Sequence, residues 1–227
     1  MDSPLHNTIK TQRITLLHPY LRHRSNHINS NLYHYGGNIP VRYVDPDGRE
    51  IYKLTDEQWA VVDNTLTNLS TNLGAIIDEL DASFGDIKKL NPEITNSART
   101  FLTSEFGSLP LDTSSLSNKL KDLKSHIDKL DYNDFHYDDN TSSYAYTYFI
   151  SNDIWLGDIF FRAPDTGGFD TKEGTILHEA THFFMTLWTT DFTYEYKKMV
   201  ALPDNGLFKN KQMNANNWEY FYEKIID

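Results

Sequence analysis

Fifteen residues constrain this chain more than any others: Glu173-Gly174-Thr175-Ile176-Leu177-His178-Glu179-Ala180-Thr181-His182-Phe183-Phe184-Met185-Thr186-Leu187. They contain His-Glu-x-x-His, which on an α-helix sets two imidazoles one turn apart with a glutamate beside the first. At 3.6 residues per turn Ile176, Ala180, Phe183 and Leu187 share one stripe, widened by Leu177 and Phe184, and His178 and His182 lie opposite with Glu179 and Thr186. The spacing predicts a helix running to about Trp188 or Thr189, with an apolar back and a polar front. A catalytic Zn²⁺ takes imidazole and carboxylate ligands and keeps one position for water, so a single zinc ion is the cofactor such a front would hold. The plainer alternative is an amphipathic helix whose histidines merely face solvent.

Composition narrows the chemistry. There is no cysteine among the 227 residues, so disulfides and thiolate ligands are excluded, and a metal must rely on His, Asp and Glu. Of the net charge of −11, residues 1–50 contribute +2 and the remainder −13. An acidic body argues against a nucleic-acid partner, whose phosphates need clustered Lys and Arg. No apolar run is long enough to span a bilayer, and the polar, histidine-rich N-terminus lacks the pattern of a signal peptide. Export is therefore expected to depend on something outside this chain.

Residues 1–50 hold five of the nine histidines and show no long helical period. From residue 51 the pattern turns helical. Thr55 can cap a helix with Asp56 and Glu57 in its first turn, and Leu66, Leu69, Leu73, Ile76, Ile77 and Leu80 continue its stripe. Further helices are predicted over Ile94–Phe106 and Thr113–Leu130, the latter with Leu116, Leu120, Leu123, Ile127 and Leu130 inward. Tyr144–Ile150 alternates with period two and reads as a strand, followed across a turn by a second apolar run, Ile154–Phe161. Pro164, Gly167 and Gly168 break the chain before the histidine helix.

Two histidines alone do not hold a catalytic zinc. No histidine follows His182, so the third ligand must be a carboxylate: Asp191, Glu195, Asp204, Glu219 or Glu223. Asp191 sits just beyond the helix, where a short turn could fold it back. The glutamates would serve from a following helix. Spacing leaves the choice open.

Gly174–Phe183 resembles the active-site helix of the deuterolysin-like peptidases, the aspzincins, which include the fungal peptidyl-Lys metalloendopeptidases. Thr189-Thr190-Asp191-Phe192-Thr193-Tyr194 is similar to the family's turn, and Asn214-Ala215-Asn216-Asn217-Trp218-Glu219-Tyr220-Phe221 to its Asn-Ala-Asp-x-x-Glu-Tyr-Phe segment. The resemblance implies an α+β, zincin-like fold with a helical N-terminal part, a small sheet with an edge strand and an active-site helix. It implies His178, His182 and Asp191 as zinc ligands, Glu179 as general base, Tyr194 as oxyanion donor, and Asn216 and Glu219 lining a pocket for a basic side chain. Two positions depart from the pattern. Trp188 stands where the family has Gly, and Asn216 where it has an acid.

A second resemblance concerns Asn31–Gly48, which is similar to the closing segment of the RHS repeat-associated core (Asn-Leu-Tyr-x-Tyr, Asn-x-Pro-Val, Tyr-x-Asp-Pro-x-Gly). It implies two pieces, an extended or poorly ordered remnant at 1–50 and a metallopeptidase domain at 51–227. It also implies a toxin delivered or secreted from a bacterial cell as part of a larger protein, with a protein or peptide substrate and a cognate immunity protein as partners. The competing functions are a zinc hydrolase of non-peptide substrates and a catalytically impaired remnant that binds a partner.

Overall fold

The structure is a computed structural model in which residues 43–44, 50–103, 112–148, 152–203 and 210–227 are described. It separates into two units, 1–51 and 52–227. In the first, β1 (Tyr43–Val44) pairs antiparallel with the start of β2 (Glu50–Lys53), Tyr43 opposite Ile51 and Val44 opposite Glu50. The rest of the RHS-like segment at 31–48 lies outside the described residues.

The second unit opens with α1 (Asp56–Ala82). Thr55 caps it reciprocally: its hydroxyl accepts from Gln58 N (3.2 Å) and Thr55 N donates to Gln58 Oε1 (2.9 Å). The stripe from Leu66 to Leu80 is buried against α3 (Thr113–Ile127), which turns Leu116, Leu120, Leu123 and Ile127 inward. Between them the predicted helix at 94–106, whose residues 104–106 lie outside the described residues, is α2 (Pro92–Ser97) followed by a π-turn, Ala98–Leu102. The wider turn closes with Thr103 N on Ala98 O (2.9 Å), and Lys211 Nζ caps the carbonyls of Thr100 (2.8 Å) and Thr103 (2.9 Å).

Among the described residues of this unit the strands are β3 (Phe135–Asp138), β4 (Ala145–Thr147) and β5 (Ile154–Leu156). β5 lies between the other two, parallel to β3 and antiparallel to β4. The apolar run at 154–161 is thus only half strand. Gly157 ends it, and α4 (Asp158–Arg162) follows. A Cβ at Gly157 would stand 2.4 Å from Ser143 O, so no other residue fits that turn without displacing backbone.

The histidine helix, α5, spans Lys172–His182, six to seven residues shorter than predicted. Phe183 is extended (ψ 140°), and Thr186 Oγ1 donates to Ala180 O (2.7 Å), the carbonyl a further helical turn would have used. Phe184 consequently leaves the buried stripe and is 62% exposed. Nor is one face of α5 polar and wet: every residue from Lys172 to Thr181 is buried. α6 (Tyr196–Val200) and α7 (Ala215–Ile226) complete the chain, α7 packing along α5.

Candidate metal centre

His178 and His182 project from the last turn of α5 with ring centroids 5.0 Å apart. The loop that follows returns Asp191 to them: its Oδ1 is 3.1 Å from His178 Nε2 and 3.4 Å from His182 Nε2. Tetrahedral zinc with bonds of about 2.0–2.1 Å places ligand atoms about 3.3–3.4 Å apart, close to the separation of the Asp191 oxygen from each imidazole nitrogen. The donor set fits zinc.

The other nitrogen of each ring is also engaged. His178 Nδ1 meets Glu219 Oε2 at 2.9 Å, and His182 Nδ1 meets Thr189 O at 3.1 Å. Both contacts fix the rings with Nε2 turned toward Asp191, the arrangement usual around ligating histidines. Burial opposes charge on His178, yet Asp191 and Glu219 hold its pKa well above the ordinary imidazole value. Burial likewise works to raise the Asp191 carboxyl, but the bonds to both histidines outweigh it and hold it well below the usual range.

Asp191 is positioned by residues that the sequence motifs contain but to which the sequence assigned no role. Thr189 N donates to Thr181 O (3.0 Å), and the hydroxyls of the two threonines meet at 2.7 Å. Thr190 bridges to Asn214, whose Oδ1 accepts from Phe192 N (2.8 Å) and Thr193 N (3.2 Å). Asn214 is fully buried and donates to Asn217, which in turn donates to Phe101 O (2.7 Å). The turn around Asp191 is thereby tied to the π-turn and α7. Trp188 adopts the left-handed φ of +51° that a glycine would take without strain, so the loop keeps its path.

Glu179 is 6% exposed, and burial, working against the two neighbouring imidazoles, raises its pKa. Tyr194 stacks parallel to His178 at 6.2 Å and 10°. Desolvation, then the nearby Asp191 charge, raise its hydroxyl pKa. Asn216 lies in the first turn of α7, 3% exposed, with Oδ1 unpartnered. Of the remaining third-ligand candidates, Glu219 takes the outer nitrogen of His178, Glu195 pairs with Lys198 (2.7 Å), and Glu223 bonds Thr171 N (2.7 Å) and Oγ1 (2.9 Å). Asp204 lies outside the described residues.

The family model for the aspzincins, described as lysine-specific metallo-endopeptidase, matches residues 96–223, more than half of the chain. The chain belongs to the aspzincin family. Its members use one zinc ion. This aspzincin is similar to the peptidyl-Lys metalloendopeptidases of Grifola frondosa, 36% identical over 74 residues, and Armillaria mellea, 33% identical over 81 residues. These stretches are 31% and 35% of this chain but only 20% and 22% of those proteins. The fold is shared with the solved zinc peptidase from Grifola frondosa at a TM-score of 0.54 and 21% identity, covering 75% of the aspzincin and 96% of that structure.

Proposed function

We propose that the second unit is a zinc-dependent endopeptidase with His178, His182 and Asp191 as ligands, that it favours basic residues, and that it is the toxin portion of an RHS-type protein. The convergence of two imidazoles and a carboxylate within 4.8 Å of one another carries this reading. A zinc ion so held would lower the pKa of bound water toward neutrality and polarise the scissile carbonyl. Glu179, whose raised pKa suits a general base, takes the water proton at its carboxylate and returns it to the leaving amine. Tyr194, beside the His178 ring, donates its hydroxyl to the carbonyl oxygen as charge develops there. β4, at the margin of its sheet, offers backbone groups to an extended substrate.

The basic preference draws support from the acids gathered behind His178. The Asp170 carboxyl is raised by burial and by the charge of Glu219, and Glu219 likewise acts on Glu223. A substrate lysine or arginine would relieve that repulsion. The toxin role, delivery from a bacterial cell and a neutralising immunity partner rest on the motif at residues 31–48. The impaired-remnant alternative loses ground because Asp191 reaches both histidines despite Trp188.

The test is cleavage of an unfolded, carboxymethylated protein by the full chain loaded with one equivalent of zinc, with cleavage sites mapped by mass spectrometry. Cuts that cluster beside Lys or Arg, stop with chelator, and vanish in Glu179→Gln while zinc stays bound are expected. Full zinc occupancy without cleavage would overturn the peptidase reading, and cuts indifferent to charge would overturn the preference.

A further inference from the structure

We propose that Phe184, Met185 and Trp188 form an apolar platform beside the metal centre that receives an apolar side chain of the bound peptide, an inference that rests on the peptidase reading. The three are 62%, 76% and 53% exposed, all within the loop that joins the second histidine to Asp191. Trp188 holds φ at +51°, a conformation disfavoured for a bulky side chain. Burial in the core could offset that strain, but the ring is half in water and meets Phe184 edge to face at 5.4 Å. Strain held at an exposed position points to a use made of it when something binds.

The frame beneath these side chains is fixed. Phe183 is buried against His126, Thr186 Oγ1 bonds Ala180 O and Phe183 O, and Thr189 bonds Thr181 and the ring of His182. The platform is therefore held in a set place relative to a metal ligand. Residues 183–195 contain no Lys or Arg but do contain Asp191 and Glu195, which disfavours an anionic lipid surface as occupant. Nor do they suit a second copy of the chain. A large side chain offers at most about 150–250 Å², and three partly covered ones fall short of the roughly 800 Å² per partner in a stable pair.

The experiment uses the zinc-loaded full chain carrying Glu179→Gln, which binds without cutting, and peptides with a central Lys in which one Leu is scanned through Ser and Gly positions. Trp155 and Trp218 are buried and Trp59 is partly buried, so in a Trp59→Phe background acrylamide quenching reports chiefly on Trp188. At one position Leu should protect the emission and tighten binding about tenfold over Ser. Adding Trp188→Gly, which also removes the reporter, should abolish the Leu gain in affinity read by calorimetry, with binding of the Leu-free peptide, zinc affinity and Tm undiminished, because glycine adopts φ +51° freely. Equal binding at all Leu positions, equal loss for both peptide types, or protection by phosphatidylglycerol vesicles and not by peptide would overturn the platform. Hydrolysis by the unsubstituted chain is followed in parallel. Cleavage without a Leu effect sinks the platform alone, whereas neither binding nor cleavage of any peptide sinks the peptidase reading and the platform with it.

Discussion

Glu219 Oε2 lies 2.9 Å from Nδ1 of His178, inside the protein, with its side chain 5% exposed. A carboxylate in that position orients the imidazole and raises its basicity toward a metal on the far nitrogen. Glu219→Ala is expected to weaken zinc binding about 10–100-fold, and Glu219→Gln by less, since an amide oxygen can still accept the Nδ1 proton. Competition against a chromophoric chelator measures both. Unchanged affinity in the alanine variant would return Glu219 to a role toward substrate alone.

Asp191 and Tyr194 separate by the same assay. Asp191→Ala removes one of three ligands, so zinc affinity and hydrolysis should fall together. Tyr194→Phe leaves the ligands in place, so zinc binding should hold while kcat drops about 10²–10³-fold. Zinc retained at full affinity after loss of the Asp191 carboxylate contradicts the assignment.

Glu223 links folding to pH. Its carboxyl, 1% exposed and beside Glu219, is pushed up to about 8 by burial and then by that charge. Between the ordinary carboxylate value and about 8 the folded chain keeps a proton that the unfolded chain has lost, so the stability it gives is full at low pH and fades as pH rises through that window. Glu223→Gln does not titrate, and should be the more stable form at pH 8–9 by on the order of 1–3 kcal/mol, converging with the parent near pH 4. Urea midpoints at several pH values decide it. Parallel curves would count against the shift.

Gly174 of α5 faces Glu223 of α7 with no room for a side chain. A Cβ there would stand 2.1 Å from Glu223 Oε1, an atom already committed to Thr171. Gly174→Ala should cost about 1–3 kcal/mol despite alanine's better helix propensity, read as a lower Tm. A gain in stability would mean that Glu223 swings aside without penalty.

Much of this was legible in the residues. The capping box at Thr55 and the leucine stripes of α1 and α3 are local patterns, and local patterns survive folding. The histidine spacing gave both rings. The end of α5 was not legible, because Phe183 and Phe184 continue the apolar stripe, and what stops the helix is the Thr186 hydroxyl on Ala180 O, a contact that a periodicity count cannot register. The third ligand stayed open for a related reason. Asp191 is held through Asn214, twenty-odd residues downstream, and chain distance hides such a partnership. The run at 154–161 shows no break between strand and helix because Ile159-Phe160-Phe161 is apolar enough for either, and only the cramped turn at Gly157 divides β5 from α4.

The burial of α5 along ten consecutive residues has one more outcome. An active site usually sits on a part that can loosen while the scaffold persists, but here the reactive groups share a helix with the interior itself. Catalysis and compactness should then disappear in a single step on heating, with no inactive yet folded species in between.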